Sequence, residues 1–160
     1  MSYPGVVPGT IVVGVDGSPP AQEALRFAVE EARLRDARIV AVHAWTYVAP
    51  APVGEPGLMA AASADYPGYL EAERATAEAE LRAAIEDAPS GLRDVELEER
   101  LLEGDAGEVL VAEAADADLL VVGSRGRGDL AAAVLGSVSR HVVHHAACPV
   151  VVVKAVRAGG

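Results

Sequence analysis

The sequence predicts an α/β fold: an open five-stranded parallel sheet with helices on both faces. Three observations carry that prediction. The apolar pattern switches repeatedly between short strand-length runs and segments at helical spacing. The strand-like runs "TIVVG", "RIVAVHAW", "LLVVG" and "PVVVV" are almost continuously apolar, as strands covered on both faces must be. Glycine and small polar residues follow the first and fourth runs, "VDGS" and "GSRGRG", and in open α/β sheets ligands bind at such carboxyl ends.

The elements follow in order. Thr10–Asp16 is a short Val/Ile-rich strand ending in the turn chemistry "DGSPP". Ser18 is placed to cap the next helix, with Pro19 at its first position. Ala21, Ala24, Leu25, Ala28 and Ala32 then recur at helical spacing, which predicts a helix over Pro19–Leu34. Arg38–Trp45 is a second buried strand. From Thr46 to Tyr69 the pattern dissolves into Pro, Gly, Ala and Ser, a long variable loop. A helix over Tyr69–Asp87 carries Leu70, Ala77, Leu81 and Ile85 on one face and a Glu-rich solvated face opposite. Asp94–Leu102 alternates as a half-exposed strand near an edge, and "DAGE" at Asp105–Glu108 resembles a capping box opening a helix to Ala115. Ala117–Gly123, a helix over Ser137–Ala147 and the strand Pro149–Lys154 complete the chain as one domain over residues 1–160.

Composition excludes several function classes. The formal net charge of −11 opposes a nucleic-acid partner, whose phosphates want a basic face, and adhesion to anionic membrane. No run reaches the roughly 18 consecutive apolar residues of a membrane span, and "MSYPGVVPGT" lacks a basic n-region and a long apolar stretch. The single Cys148 forms no internal disulfide and fits a reducing compartment. A cytoplasmic location is therefore expected.

The loop after the fourth strand holds the chemistry. A Walker A loop fails, because Asp129-Leu130 follows Gly128 where lysine and a hydroxyl are required. Gly126–Ala131 matches Gly-x-Gly-x-x-Ala by letter, but it lies in the fourth βα turn and no acidic residue follows Asp129 to hold a ribose about 20 residues on. The spacing that fits is Gly123-x2-Gly126-x9-Gly136-Ser137. Gly123 and Gly126 would let backbone approach a ribose and polyphosphate and adopt positive φ. Gly136, Ser137, Val138 and Ser139 would open a helix whose free N–H groups and dipole favour anions, with the two serine hydroxyls as further donors. Arg125, Arg127 and Arg140 make the loop locally cationic within an acidic chain.

With that spacing, and with "IVVGVDGS", "RIVAVHAW", "LLVVGSRG" and "GSVSRHVVHHAACPVVVV" around it, the chain resembles the universal stress protein family in its ATP-binding subgroup. The resemblance implies a Rossmann-like fold, related to the adenine nucleotide alpha hydrolases, and ATP, accompanied by Mg2+, in a crevice between the first and fourth strands. It implies that backbone at Gly14 and Val15 approaches the nucleotide and that backbone at Ala44 reads the adenine edge. Asp16 would accept hydrogen bonds from ribose hydroxyls, since a carboxylate beside polyphosphate would repel it; its alternative is a turn cap with Ser18. The resemblance further implies a homodimer through Pro149–Lys154 and a nucleotide-linked stress-response role with little or slow hydrolysis. A slow ATPase and a sensor of AMP or cyclic AMP are the alternatives.

The remaining candidates read as structural. His144 and His145 are adjacent on a helix and point apart, so they and His43 and His141 are assigned structural or surface roles and no metal is expected. Cys148 beside Pro149 reads as buried and inert, and "RGD" at Arg127–Asp129 as coincidence. No carboxylate pair, triad or water-activating base emerges, so no catalytic residue is assigned.

Overall fold

Strand β1 (Thr10–Gly14) is the middle strand of the sheet, because every one of its residues from Ile11 to Val13 is an uncharged β-branched side chain that both faces can bury. A computed structural model describes residues 9–47, 66–88, 90–126 and 135–155 of the chain. After β1 come α1 (Pro19–Arg35), β2 (Arg38–Trp45), α2 (Tyr66–Glu86), a 3-10 turn at Leu92–Asp94, β3 (Leu97–Glu103), α3 (Ala106–Glu113), β4 (Leu119–Gly123), α4 (Ser137–His145) and β5 (Val150–Val153). The five strands lie in the order β3-β2-β1-β4-β5, and all four pairings are parallel. The direction of winding reverses between β1 and β4, which pair from Ile11↔Leu119 to Val13↔Val121.

Alternate residues of each strand feed two cores. Ile11, Val13, Ile39, Ala41 and Val121 pack beneath α1 and α2 with Leu25, Val29 and Leu81. Val12, Val40, Val42, Leu120 and Val122 pack beneath α3 and α4 with Leu110 and Val142. The scarcity of aromatics is met by dense β-branched packing: Ile11, Val13, Ile39 and Val121 are completely buried.

Helix ends follow the local chemistry. Ser18 Oγ accepts from Ala21 N at 3.4 Å, with proline at the first positions of α1, and Asp105 Oδ1 accepts from Glu108 N at 3.1 Å. Other boundaries move from their expected places for tertiary reasons. Helix α2 begins at Tyr66, so the end of the expected 46–69 loop is helical; Tyr66 and Tyr69 meet Tyr47 edge-on, with ring centroids 5.1 and 5.5 Å away. Residues 48–65 of that loop lie outside the described residues. The third strand starts at Leu97 because Leu92–Asp94 forms a 3-10 turn, fixed by an ion pair between Arg33 and Asp94. Helix α4 stops at His145, three residues before Cys148, whose place ahead of Pro149 disfavours helical backbone.

The two sheet edges differ. On β3, Glu98 pairs with Arg38 at 3.4 Å and with Arg100 at 2.7 Å, and Arg100 also pairs with Glu113 of α3. The hydrogen bond from Arg100 holds the Glu98 carboxyl below its ordinary range. The opposite edge, β5, is four half-buried valines. No helix among the described residues is long and apolar enough to cross a membrane.

Candidate functional site

The reversal between β1 and β4 opens a cavity of about 360 Å3 at the carboxyl ends of the strands. Its floor is the end of β1 with the residues just after it, Gly14, Val15 and Asp16. Val42, His43 and Ala44 of β2 form one wall, and Val122, Gly123, Arg125 and Gly126 at the end of β4 form another. The first turn of α4, with Gly136, Ser137, Val138 and Ser139, closes a third side. Every expected site residue except Arg127 therefore borders one cavity; Arg127 lies outside the described residues.

Asp16 serves two purposes at once. Its Oδ1 accepts from Ser18 N at 2.9 Å, which fixes the carboxylate over the turn into α1. Its Oδ2 lies so near Gly126 that a Cβ there would stand 3.0 Å away. The turn between them uses Gly17 in the left-handed region, φ 77.

The loop departs from expectation in its backbone conformation, in Ser139 and in Arg140, and Gly123 carries a packing constraint besides its place at the cavity. Gly123 is required by packing: a Cβ would come within 2.7 Å of the Pro20 carbonyl carbon and 2.8 Å of Ala21 N, where α1 begins. Neither Gly123 nor Gly126 adopts positive φ; among the described glycines only Gly17, Gly91 and Gly104 do. The Ser139 hydroxyl is 1% exposed and bonds the carbonyls of Ser124 at 3.1 Å and Gly136 at 3.0 Å. With its one proton committed there it clasps the two ends of the loop together and has none to give a phosphate. Arg140 likewise turns back, donating to Leu135 O at 3.1 Å, and does not border the cavity.

The start of α4 is unlike those of α1 and α3. Gly136 caps it with no side-chain hydrogen bond, whereas Ser18 and Asp105 each satisfy an N–H of their helices' first turn. The first-turn N–H groups of α4 and its dipole therefore face the cavity ready for an anion, with Arg125 on the adjoining wall.

The sequence assigns His43 a structural or surface role and does not single out Glu80; the structure brings the two together beside the cavity. His43 is 6% exposed and borders the cavity. Its Nδ1 lies 2.7 Å from Val15 O and its Nε2 3.2 Å from Glu80 Oε2 on α2. Leu110 and Ala106 of α3 also line the site. Their signal was the strand-end position of His43, one residue before Ala44; nothing marked Glu80 among the many glutamates of α2. Elsewhere, His141 and His145 stack on α4 with centroids 4.3 Å apart. Burial pushes the half-buried Cys148 thiol up. Among the described residues no group of three or more His, Cys, Asp or Glu side chains is arranged to hold a metal ion.

Comparison with known proteins gives this geometry its context. The profile of the universal stress protein family matches residues 9–154. A universal stress protein of Mycobacterium tuberculosis is 38% identical over 144 residues, covering 90% of this chain and 45% of that relative. The chain thus spans about half the length of such curated relatives. A universal stress protein solved in complex with cAMP is 29% identical, with TM-score 0.55, covering 94% of this chain and all of the other. One from Archaeoglobus fulgidus, in complex with dAMP, is 29% identical with TM-score 0.58, covering 93% and 100% of the two chains. Family match, strand order and cavity agree: the chain belongs to the universal stress protein family.

Proposed function

We propose that the cavity binds an adenine nucleotide, ATP by preference, and that the protein is a cytoplasmic, homodimeric, nucleotide-linked stress-response protein rather than a committed enzyme. The observation that carries this reading is the uncapped start of α4 facing the carboxyl ends of β1 and β4 across one cavity. The helix N-terminus suits phosphates, the Asp16 carboxylate suits ribose hydroxyls, and the backbone beside Ala44 suits a base edge. The volume, about 360 Å3, falls in the range of roughly 300–1,000 Å3 usual for ligand pockets. Mg2+, where present, would ride on the phosphates with water completing its shell, as this ion prefers. No residue among those described is assigned as a water-activating base, and hydrolysis is proposed to be slow.

A second reading, a sensor of AMP or cyclic AMP, is favoured by the two similar structures holding cAMP and dAMP. Calorimetric titration with Mg-ATP, AMP and cyclic AMP separates the two. Binding of ATP at micromolar concentration, weakened about tenfold or more, or about 1.4 kcal/mol, in Gly126→Ala is the expected result. Tighter binding of AMP or cyclic AMP would select the second reading, and no binding of any of them would overturn both.

A further inference from the structure

Helix α3 carries a glycine where its backbone does not call for one. Gly107 is the second residue of the helix and is buried, its φ is not positive, and glycine is a poorer helix former than alanine. Space is what it supplies. A Cβ at Gly107 would stand 2.8 Å from Cδ2, 2.9 Å from Cγ and 3.0 Å from Cβ of His141 on α4. The last of these atoms moves only with the backbone of α4. His145 backs the ring: the two imidazoles stack with centroids 4.3 Å apart, and His145 Nδ1 donates to His141 O at 2.8 Å.

One turn along α3 the roles are exchanged. Leu110 fills the space that Gly14 of β1 leaves, where a Cβ would meet Leu110 Cδ1 at 3.0 Å. Both contacts adjoin the cavity. Gly14, Leu110 and Ala106, the neighbour of Gly107, all border it, and so does the first turn of α4. Helix α3 is thus seated on the cavity floor through Leu110 and against α4 through Gly107. The floor is held by the pairings of β1 with β2 and β4. The seat at Gly107 is left to set how far α3 stands from the start of α4.

We propose that Gly107 and His141 are positioning residues of the cavity: the ring seated on the glycine sets the separation of α3 from α4, and with it the width of the ligand space. Bulk added at the joint moves Ala106 away from the uncapped start of α4, and a ligand spanning the cavity then loses contact with one wall. The effect on binding rests on the nucleotide reading above; the joint itself does not.

Gly107→Ala and His141→Ala, alone and combined, separate this role from ordinary packing. Mg-ATP affinity should fall about tenfold in Gly107→Ala, within the range by which residues in contact couple. Adding His141→Ala removes Cδ2 and Cγ, the two nearest atoms, and gives the new methyl group room. The double variant should therefore bind more tightly than Gly107→Ala, despite the added substitution. Amide spectra without ligand should show Ala106 and Ser137 to Ser139 shifted in Gly107→Ala and drawn back toward wild type in the double variant. A packing position with no hold on the cavity would lower the melting temperature while affinity and the Ser137 to Ser139 amides stayed as in wild type. That result overturns the proposal, as does a double variant that binds no better than Gly107→Ala. If Gly107→Ala does not fold, His141→Ala decides: weaker binding supports the joint, and wild-type affinity overturns it. If the wild type binds no Mg-ATP, AMP or cyclic AMP, the nucleotide reading fails and the amide spectra alone decide the joint.

Discussion

A methyl group added at Gly123 would press on the first turn of α1, within 2.7 Å of Pro20 backbone, whereas one added at Gly126 would meet Asp16 Oδ2 at 3.0 Å. The two glycines stand three residues apart and share a motif, yet their alanine variants should behave oppositely. Gly123→Ala forces backbone apart and should cost about 1–3 kcal/mol of stability, as overpacking does, visible as a lowered melting temperature without any ligand. Gly126→Ala has only one half-buried side-chain oxygen, Asp16 Oδ2, to displace and no backbone, so its melt should stay near wild type while nucleotide binding falls. Equal melting losses in the two would contradict this division. The motif spacing made both positions legible in the sequence. It could not say which neighbour each serves, because Pro20 reaches Gly123 only through the β1–β4 pairing. Ser139 went the same way: its place in the motif was plain, but the carbonyls of Ser124 and Gly136 that claim its hydroxyl meet only in the folded loop.

Helices and strands were legible wherever local chemistry decides them. β2 runs from Arg38 to Trp45 as its apolar run dictates, and Ser18 caps α1 as its place before Pro19 suggests. Ser18→Ala should therefore cost about 1 kcal/mol, a typical loss for an N-cap, in chemical denaturation. Its Oγ is buried with the first turn of α1, so an unchanged midpoint would mean that turn finds another partner. Boundaries went astray where distant side chains decide them. Tyr47 meets Tyr66 and Tyr69 edge-on, and α2 starts at Tyr66, three residues ahead of the expected Tyr69, in a stretch that carries Pro67 and Gly68. Glu80 was hidden for the opposite reason: on a glutamate-rich helix, its contact with His43 from β2 sets it apart from a solvated face, and that contact forms only in the fold.

Across the whole molecule, the contrast between edges bears on assembly. β3 carries charged side chains engaged with Arg38 and Glu113, a surface that discourages strand addition, whereas β5 offers short, half-buried valines. If the homodimer forms through β5, as proposed, Val151→Lys should shift the protein toward monomer in sedimentation analysis, while a charge-preserving Glu98→Asp should not. A dimer unaffected by Val151→Lys would place the interface elsewhere. The order of the strands has a consequence in time as well. β1 and β2 are joined by a single helix and can meet early, but Ile11 reaches Leu119 only after most of the chain is in place, and such distant pairings form slowly. The cavity sits on that late seam, so a growing or half-folded chain has strands and a partial core but nowhere to hold a ligand. Competence to bind is thus itself a report that the last strands have docked.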